Sequence, residues 1–110
     1  MPNEVIASPY FEQKLKRLIK KYPSLIKTIL ILEDDLIQNP RLGDSYGQNI
    51  YKIRIPGEGK GKSGGYRVIT YVVDESEKQS IIRLATIFTK AEESTITKAD
   101  AVALIKNIFK

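Results

Sequence analysis

A central stretch, Ile50–Tyr71, constrains the fold of this chain more than any other part of the sequence. It consists of two runs of β-branched and aromatic residues, Ile50–Ile55 and Tyr66–Tyr71, on either side of ten residues that contain five glycines. Such runs predict strands, and glycine lets another backbone approach closely. One acidic residue, Glu58, stands among five basic residues: Lys52, Arg54, Lys60, Lys62 and Arg67. Because clustered Lys and Arg attract phosphate, the stretch predicts a nucleic-acid backbone as the ligand.

Length and composition limit the classes of protein that the chain can be. Its 110 residues are enough for one domain, residues 1–110, and the hydrophobic fraction of 42% is typical of a globular protein. No apolar run has the length of a membrane span, and the first residues carry neither a basic segment nor an apolar segment of the kind found in signal peptides. We therefore expect a cytoplasmic protein.

The charged residues and the missing residue types narrow the chemistry further. The chain has no Cys and no His, so disulfides and thiol chemistry are excluded and a zinc site is not expected. The formal net charge is +5. This charge is compatible with an ordinary basic protein whose lysines keep it in solution, or with an anionic partner such as nucleic acid or an acidic protein. The clustering in the central stretch favours the second interpretation.

Hydrophobic periodicity predicts the remaining elements. A short strand is expected at Glu4–Ala7, and the Ser8-Pro9 pair is typical of a helix start. Two helices separated by the break at Pro23 predict a helical hairpin, and after the central strands come a third long strand, Ser80–Thr89, and a final helix capped by Thr97. The predicted order is β-α-α-β-β-β-α. This order predicts an α+β fold in which an antiparallel sheet packs against the N-terminal helical hairpin, with the helices on one face.

The alternation in the first central strand predicts which side chains face the core. Tyr51, Ile53 and Ile55 fall on one face, and Ile50, Lys52 and Arg54 fall on the other, which we expect to face an anion in solvent. Two nucleotide-binding motifs that the glycines resemble are rejected, because both require a helix where a strand is predicted here. The ten residues Pro56–Gly65 are either a flexible hairpin connection with lysines for solubility or a functional loop.

Lys and Arg can promote cleavage of RNA without His, because the RNA supplies its own 2′-hydroxyl as nucleophile. Arg offers a planar fork to phosphate oxygens. A Lys crowded by other cations has a lowered pKa and can act as a base or an acid nearer neutrality. Such a reaction needs no metal and no cofactor, and we expect neither.

The sequence resembles the RelE/ParE superfamily of toxins, and within it the RelE/HigB branch of type II toxin–antitoxin systems. The resemblance rests on Tyr51–Arg54, on the run from Lys60 through Gly64-Gly65 to Arg67, and on Thr86–Lys90, and it extends over nearly the whole chain. It implies a small α+β fold and a ribosome-dependent endoribonuclease that cleaves messenger RNA without metal. It also implies a cognate antitoxin as partner, with the ribosome and mRNA as targets, no membrane, and a higher-order toxin–antitoxin complex.

The resemblance also assigns roles to residues. Lys52 and Arg54 match two basic positions on the first central strand, Arg67 matches a phosphate-contacting arginine, and Lys90 matches a basic position at the end of the last strand. Lys60 and Lys62 complete the expected catalytic set. The family's second arginine beside Lys90 is replaced by Ala91, and no tyrosine follows Tyr71. We expect Lys52, Arg54, Tyr71 and Phe88 to bind RNA, with Phe88 as the candidate for stacking on a base. The alternative is a ParE-type toxin that inhibits DNA gyrase and cuts nothing.

Arg67 is expected to be the most important single residue for activity and nearly neutral for folding. It follows two glycines and begins a strand, so its stem is expected to be packed while its guanidinium stays free for the scissile phosphate. The competing interpretation is a structural ion pair between Arg67 and Glu58 or Asp74.

Overall fold

A five-stranded sheet forms the centre of the computed structural model, which describes residues 3–57 and 61–109 but not the side chains of residues 61–64. The strands follow the spatial order β1-β5-β4-β3-β2. They are β1 (Glu4–Ala7), β2 (Asp44–Ser45), β3 (Ile50–Gly57), β4 (Gly61–Ser76) and β5 (Gln79–Thr89). The helices are α1 (Pro9–Lys21), α2 (Leu25–Gln38) and α3 (Lys98–Ile108), with a 3-10 helix at Lys90–Thr95 between β5 and α3.

This architecture confirms the predicted α+β fold and corrects three details of the sheet. Strand β1 pairs with β5 in parallel, so the sheet is mixed rather than antiparallel. The two-residue strand β2 was not predicted. Strand β3 continues through Gly57 and β4 begins at Gly61, so most of the expected ten-residue loop lies within the two strands, and Gly57 pairs with Gly61. Residues 58–60 of that loop lie outside the described part of the chain.

The helical hairpin covers one face of the sheet, as predicted. Helix α1 begins at the expected cap, where Ser8 Oγ accepts a hydrogen bond of 3.0 Å from the backbone N–H of Phe11. Apolar side chains of both helices pack against inward-facing residues of β3, β4 and β5 in one core, which includes Phe11, Leu32, Leu36, Ile53 and Val68. Burial of this core is the main source of stability for the fold.

The opposite face of the sheet is also covered, so the expectation of helices on one face was wrong. Helix α3 packs Ala101 and Ile105 against Ile50, Ile69 and Phe88 in a second core. The physical reason is that the central strands are apolar on both faces: Val68 lies in the first core and its neighbour Ile69 in the second. Helix α3 begins with the predicted capping box between Thr97 and Asp100.

Helix α2 is buried along one narrow stripe. Leu25, Ile29, Leu32 and Leu36 are buried, whereas Ile26 and Leu30 are 48% and 60% exposed. The sheet offers a surface only as wide as one stripe of the helix. Among the residues that the structure describes, no helix is both long and apolar enough to cross a membrane.

Two leucines of α2 provide a matched test of this packing. We expect Leu36→Ala to lower the free energy of unfolding by about 2–5 kcal/mol, because Leu36 is fully buried and its truncation leaves a cavity. Leu30→Ala makes the same change on the exposed side and should cost less than about 0.5 kcal/mol. Urea unfolding of the two variants measures the difference. Equal losses would contradict the orientation of α2 described here.

Candidate nucleic-acid interface

The register of β3 and β4 brings the predicted basic residues onto one face of the sheet. Arg54 lies directly opposite Arg67, and Lys52 lies opposite Ile69. Alternation places all of these side chains on the face that also packs against α3. The predicted grouping of Ile50, Lys52 and Arg54 is therefore correct, but that face is not open to solvent: Ile50 is buried, and only Arg54 of the three is exposed.

A single carboxylate joins the two more buried cations. Lys52 Nζ lies 2.6 Å from Glu93 Oε2, and Arg67 Nε lies 3.2 Å from Glu93 Oε1. The Lys52 contact is a hydrogen bond as well as an ion pair, whereas the Arg67 Nε–H is not aligned for a hydrogen bond and the attraction there is coulombic. Glu93 is presented by the 3-10 helix, whose first turn is closed by the capping box of Thr89 and Glu92. The three side chains form what we call the Glu93 cluster.

The Glu93 cluster fixes the protonation states of its members. The hydrogen bond from Lys52 lowers the pKa of Glu93, and Arg67 lowers it further. The same hydrogen bond raises the pKa of Lys52, with a further contribution from the Tyr46 hydroxyl. The expectation that crowding by cations lowers the pKa of a site lysine is therefore wrong for Lys52. This lysine stays protonated, and it can serve as a charge or a proton donor but not as a base.

The expectation of a free Arg67 guanidinium was also wrong. Arg67 is only 4% exposed, and besides Glu93 its Nη1 donates a long hydrogen bond of 3.4 Å to the backbone carbonyl of Tyr66. Asp74, one of the alternative partners, pairs with Arg41 instead, and Glu58, the other one, lies outside the described residues. Because a buried guanidinium needs its counterion, we now expect substitution of Arg67 to affect folding as well as activity.

Two glycines let backbone segments approach the strands that carry the cluster. A side chain at Gly65 would overlap the carbonyl oxygen of Ile55, so glycine is required where β4 comes close to β3, two residues before Arg67. Gly43 has a φ of +103°, and a Cβ there would lie 2.5 Å from the carbonyl oxygen of Lys52. Gly65, one of the glycines that we expected to admit RNA, thus admits neighbouring protein backbone, as does Gly43 outside the central stretch.

The two aromatic residues expected to bind RNA are in contact with other parts of the protein. Phe88 is 1% exposed in the second core, so base stacking by Phe88 is excluded in this conformation. Tyr71 is half-buried and its ring stacks on Phe109 at a centroid distance of 5.7 Å. Both were chosen from the sequence as aromatic residues near the basic strands, but strand alternation turns them towards α3.

Two of the other predicted site residues lie on elements that carry the Glu93 cluster. Arg54 and Lys90 are exposed, and Lys90 is the first residue of the 3-10 helix that carries Glu93. Lys60 lies outside the described residues, and only the backbone of Lys62 is described, in β4. The structure therefore brings together Lys52, Arg54 and Arg67 from the predicted set.

Sequence reasoning missed two residues of this region, Glu93 and Tyr46. Lys52 Nζ lies 5.7 Å and Lys98 Nζ 5.5 Å from the centroid of the Tyr46 ring, so Tyr46 is a half-buried aromatic residue between two cations. No local pattern could have found either residue, because their contacts with Lys52 depend on the turn into the 3-10 helix and on the edge strand β2. The excess of basic residues in the central stretch was the available signal, since buried cations require a carboxylate nearby.

The structure is that of a small α+β protein, with a helical hairpin on one face of a five-stranded sheet and helix α3 on the other. Compared with solved structures, the chain is similar to a mutant of the E. coli toxin RelE in the free state. The TM-score is 0.62 with 22% sequence identity, over 96% of this chain and 99% of that chain. No family model matches the sequence. The chain thus has a RelE-like fold.

The lowered pKa of Glu93 predicts a pH dependence of stability. A carboxyl group with a lower pKa in the folded state stabilises the protein above its unfolded pKa, about 4.3, and this stabilisation is lost as the pH falls through the folded pKa. Glu93→Gln should therefore show a smaller loss of stability than the wild type between pH 6 and about pH 3. Urea unfolding across this range measures it.

Asp34→Asn is the control for this pH experiment, because Asp34 is exposed on α2 and its replacement removes the same charge. It should keep the acid sensitivity of the wild type. If Glu93→Gln also kept it, the ion pairs of Glu93 would not contribute to the stability of the protein in solution.

Proposed function

We propose that this protein is the toxin of a type II toxin–antitoxin system and a ribosome-dependent endoribonuclease that cleaves messenger RNA through attack by the RNA 2′-hydroxyl. One observation carries the proposal: Lys52 and Arg67, from neighbouring strands, contact the two oxygens of a single carboxylate. A phosphate group, like a carboxylate, offers two oxygens side by side. Two cations that bind the two oxygens of one carboxylate can therefore bind two non-bridging oxygens of one phosphate. The RelE-like fold supports the same proposal.

The burial of this pair favours electrostatic catalysis over simple attraction. The side chains of Lys52 and Arg67 are 13% and 4% exposed, so their charges act where water screens them little. Fixed charges of this kind stabilise the extra negative charge that develops on a phosphorane-like transition state. In this proposal Arg67 and Lys52 hold the scissile phosphate, and the exposed Arg54 and Lys90 contact neighbouring phosphates.

The remaining members of the predicted set fit this scheme as further backbone contacts. Lys60, between β3 and β4, and Lys62, at the start of β4, are proposed to hold the RNA strand as it enters. Tyr46 takes the place proposed from the sequence for Phe88, because it is the half-buried aromatic residue next to Lys52. The scheme requires no cofactor.

The proposed partners follow from the charge of this face. A disordered acidic segment of a cognate antitoxin is expected to cover Lys52, Arg54 and Arg67 or to displace α3 from beside them. In the free state Glu93 already occupies the position that such a carboxylate would take. A cytoplasmic location is part of the proposal, because the ribosome and the antitoxin are met there.

Substitutions in the pair test the nuclease directly. Lys52→Ala and Arg67→Lys should each slow ribosome-dependent cleavage of mRNA by about 10²–10³-fold, the usual cost of losing one preorganised contact to a transition-state oxyanion. Arg67→Lys is preferred to alanine because it retains a cation beside Glu93. Lys27→Ala removes a charge from the exposed side of α2 and should cleave as the wild type does. Primer extension in a translation reaction gives the rates, and circular dichroism confirms folding.

The same reactions decide between the nuclease and a ParE-type inhibitor of DNA gyrase. Cuts that require the ribosome support the nuclease. Absence of cuts by the folded wild type, together with inhibition of DNA supercoiling by gyrase, would overturn it.

We further expect the isolated protein to leave purified mRNA largely intact at micromolar concentration. Glu93 pairs with the two most buried cations of the site, so free RNA must compete with its carboxylate for both of them. The ribosome must fix the RNA in place before a phosphate can take over these contacts. Prompt cleavage of purified mRNA in the presence of a metal chelator would contradict this requirement, and denaturing gels resolve the two outcomes.

A further inference from the structure

The proposed reaction needs a base for the 2′-hydroxyl, and Arg67 and Lys52 cannot supply one. An arginine guanidinium is not deprotonated in proteins. Lys52 is held protonated by its hydrogen bond to Glu93. Glu93 contacts both of the proposed phosphate-binding cations, and its carboxylate has a lone pair that can accept a proton. It is therefore the candidate for the base.

We propose that Glu93 is the general base of this reaction and that Lys52 is the general acid. This inference rests on the proposed nuclease activity. It follows from the geometry of the Glu93 cluster, in which one carboxylate touches the two cations that would hold the scissile phosphate, at 2.6 Å and 3.2 Å. A phosphate that takes over these contacts must lie next to the Glu93 carboxylate, within reach of the adjacent ribose.

Binding of the phosphate makes Glu93 a stronger base than it is in the free protein. Its proton affinity is held down there by Lys52 and Arg67, and the Tyr46 hydroxyl in turn interacts with Lys52. When phosphate oxygens take over the cations, the carboxylate loses its counterions and gains an anionic neighbour, and both changes raise its proton affinity. The substrate thus activates its own base.

The 3-10 helix suits this exchange of contacts. Glu93 is 24% exposed at its side chain, and the hydrogen bonds of a 3-10 helix are weaker than those of an α-helix. The exchange requires a small shift of Lys90–Thr95 that separates Glu93 from Lys52, while the cations stay on β3 and β4. The capping box of Thr89 and Glu92 keeps the segment anchored to the end of β5.

The Glu93 cluster and the RNA together account for every proton and electron pair in this reaction. Glu93 accepts the proton of the 2′-hydroxyl while the 2′ oxygen forms a bond to phosphorus. The bond from phosphorus to the 5′ oxygen breaks, and that oxygen takes its proton from the Lys52 ammonium. The products are a 2′,3′-cyclic phosphate and a 5′-hydroxyl. Transfer of the proton from Glu93 to Lys52, which are in contact in the free protein, restores the starting state.

The test is single-turnover cleavage on programmed ribosomes by Glu93→Gln, which keeps the shape of the side chain and removes the base. The rate should fall by about 10²–10⁴-fold, with binding of the variant to ribosomes unchanged or tighter. Glu75→Gln removes the same charge from the exposed end of β4 and should cleave as the wild type does. A thermal melt of each variant confirms that it is folded.

Two further readouts separate a base from a structural carboxylate. The wild type should lose rate at acidic pH, and this loss should disappear in Glu93→Gln. Added formate should restore part of the cleavage by Glu93→Ala. Cleavage by folded Glu93→Gln at or above the wild-type rate would overturn the proposal and make Glu93 a counterion only. The same conclusion would follow if Glu93→Gln were slow but still lost rate at acidic pH, and formate did not rescue Glu93→Ala. A wild type that makes no cuts would instead refute the nuclease itself.

Discussion

Arg67 is a charged side chain with 4% exposure inside a β-sheet, and this constraint determines the arrangement around it. A buried guanidinium without a counterion is destabilising by several kcal/mol, so an acidic residue must reach it. Glu93 does so from the 3-10 helix, and its second oxygen pairs with Lys52 on the next strand. This arrangement accounts for the position of the 3-10 helix and for the protonation of Lys52. It also means that Glu93 occupies the site between Lys52 and Arg67.

The two faces of the sheet differ in the side chains that they carry. The face under α1 and α2 is a continuous apolar core, whose inward residues include Leu36, Ile53 and Val68. The face under α3 mixes apolar and cationic side chains: Ile69 and Phe88 pack with Ile105, while their direct cross-strand neighbours are Lys52 and Arg67. A stable first face allows charges to be held on the second, where they reduce stability; in the proposed function they act on a phosphate.

Much of the fold was predictable because it depends on local patterns. The helix cap at Ser8, the capping box of Thr97 and Asp100, and the alternation of β3 are written within a few residues of sequence. The cluster was not predictable to the same degree. Lys52 and Glu93 are 41 residues apart, and their contact depends on where the 3-10 helix turns after β5. The burial of Phe88 and Arg67 and the coverage of the sheet by α3 likewise depend on packing between distant elements.

The central claim is that the Lys52–Arg67 pair is the site for the scissile phosphate and that Glu93 occupies this site in the free protein. A structure of the protein on a ribosome, programmed with mRNA whose reactive 2′-hydroxyl is methylated, tests it most directly. The claim predicts phosphate oxygens within about 3 Å of Lys52 Nζ and Arg67, the distance of a charge-assisted hydrogen bond, with Glu93 displaced towards the methylated 2′ oxygen. An intact pair of Glu93 contacts, with the mRNA bound on another face of the protein, would contradict it.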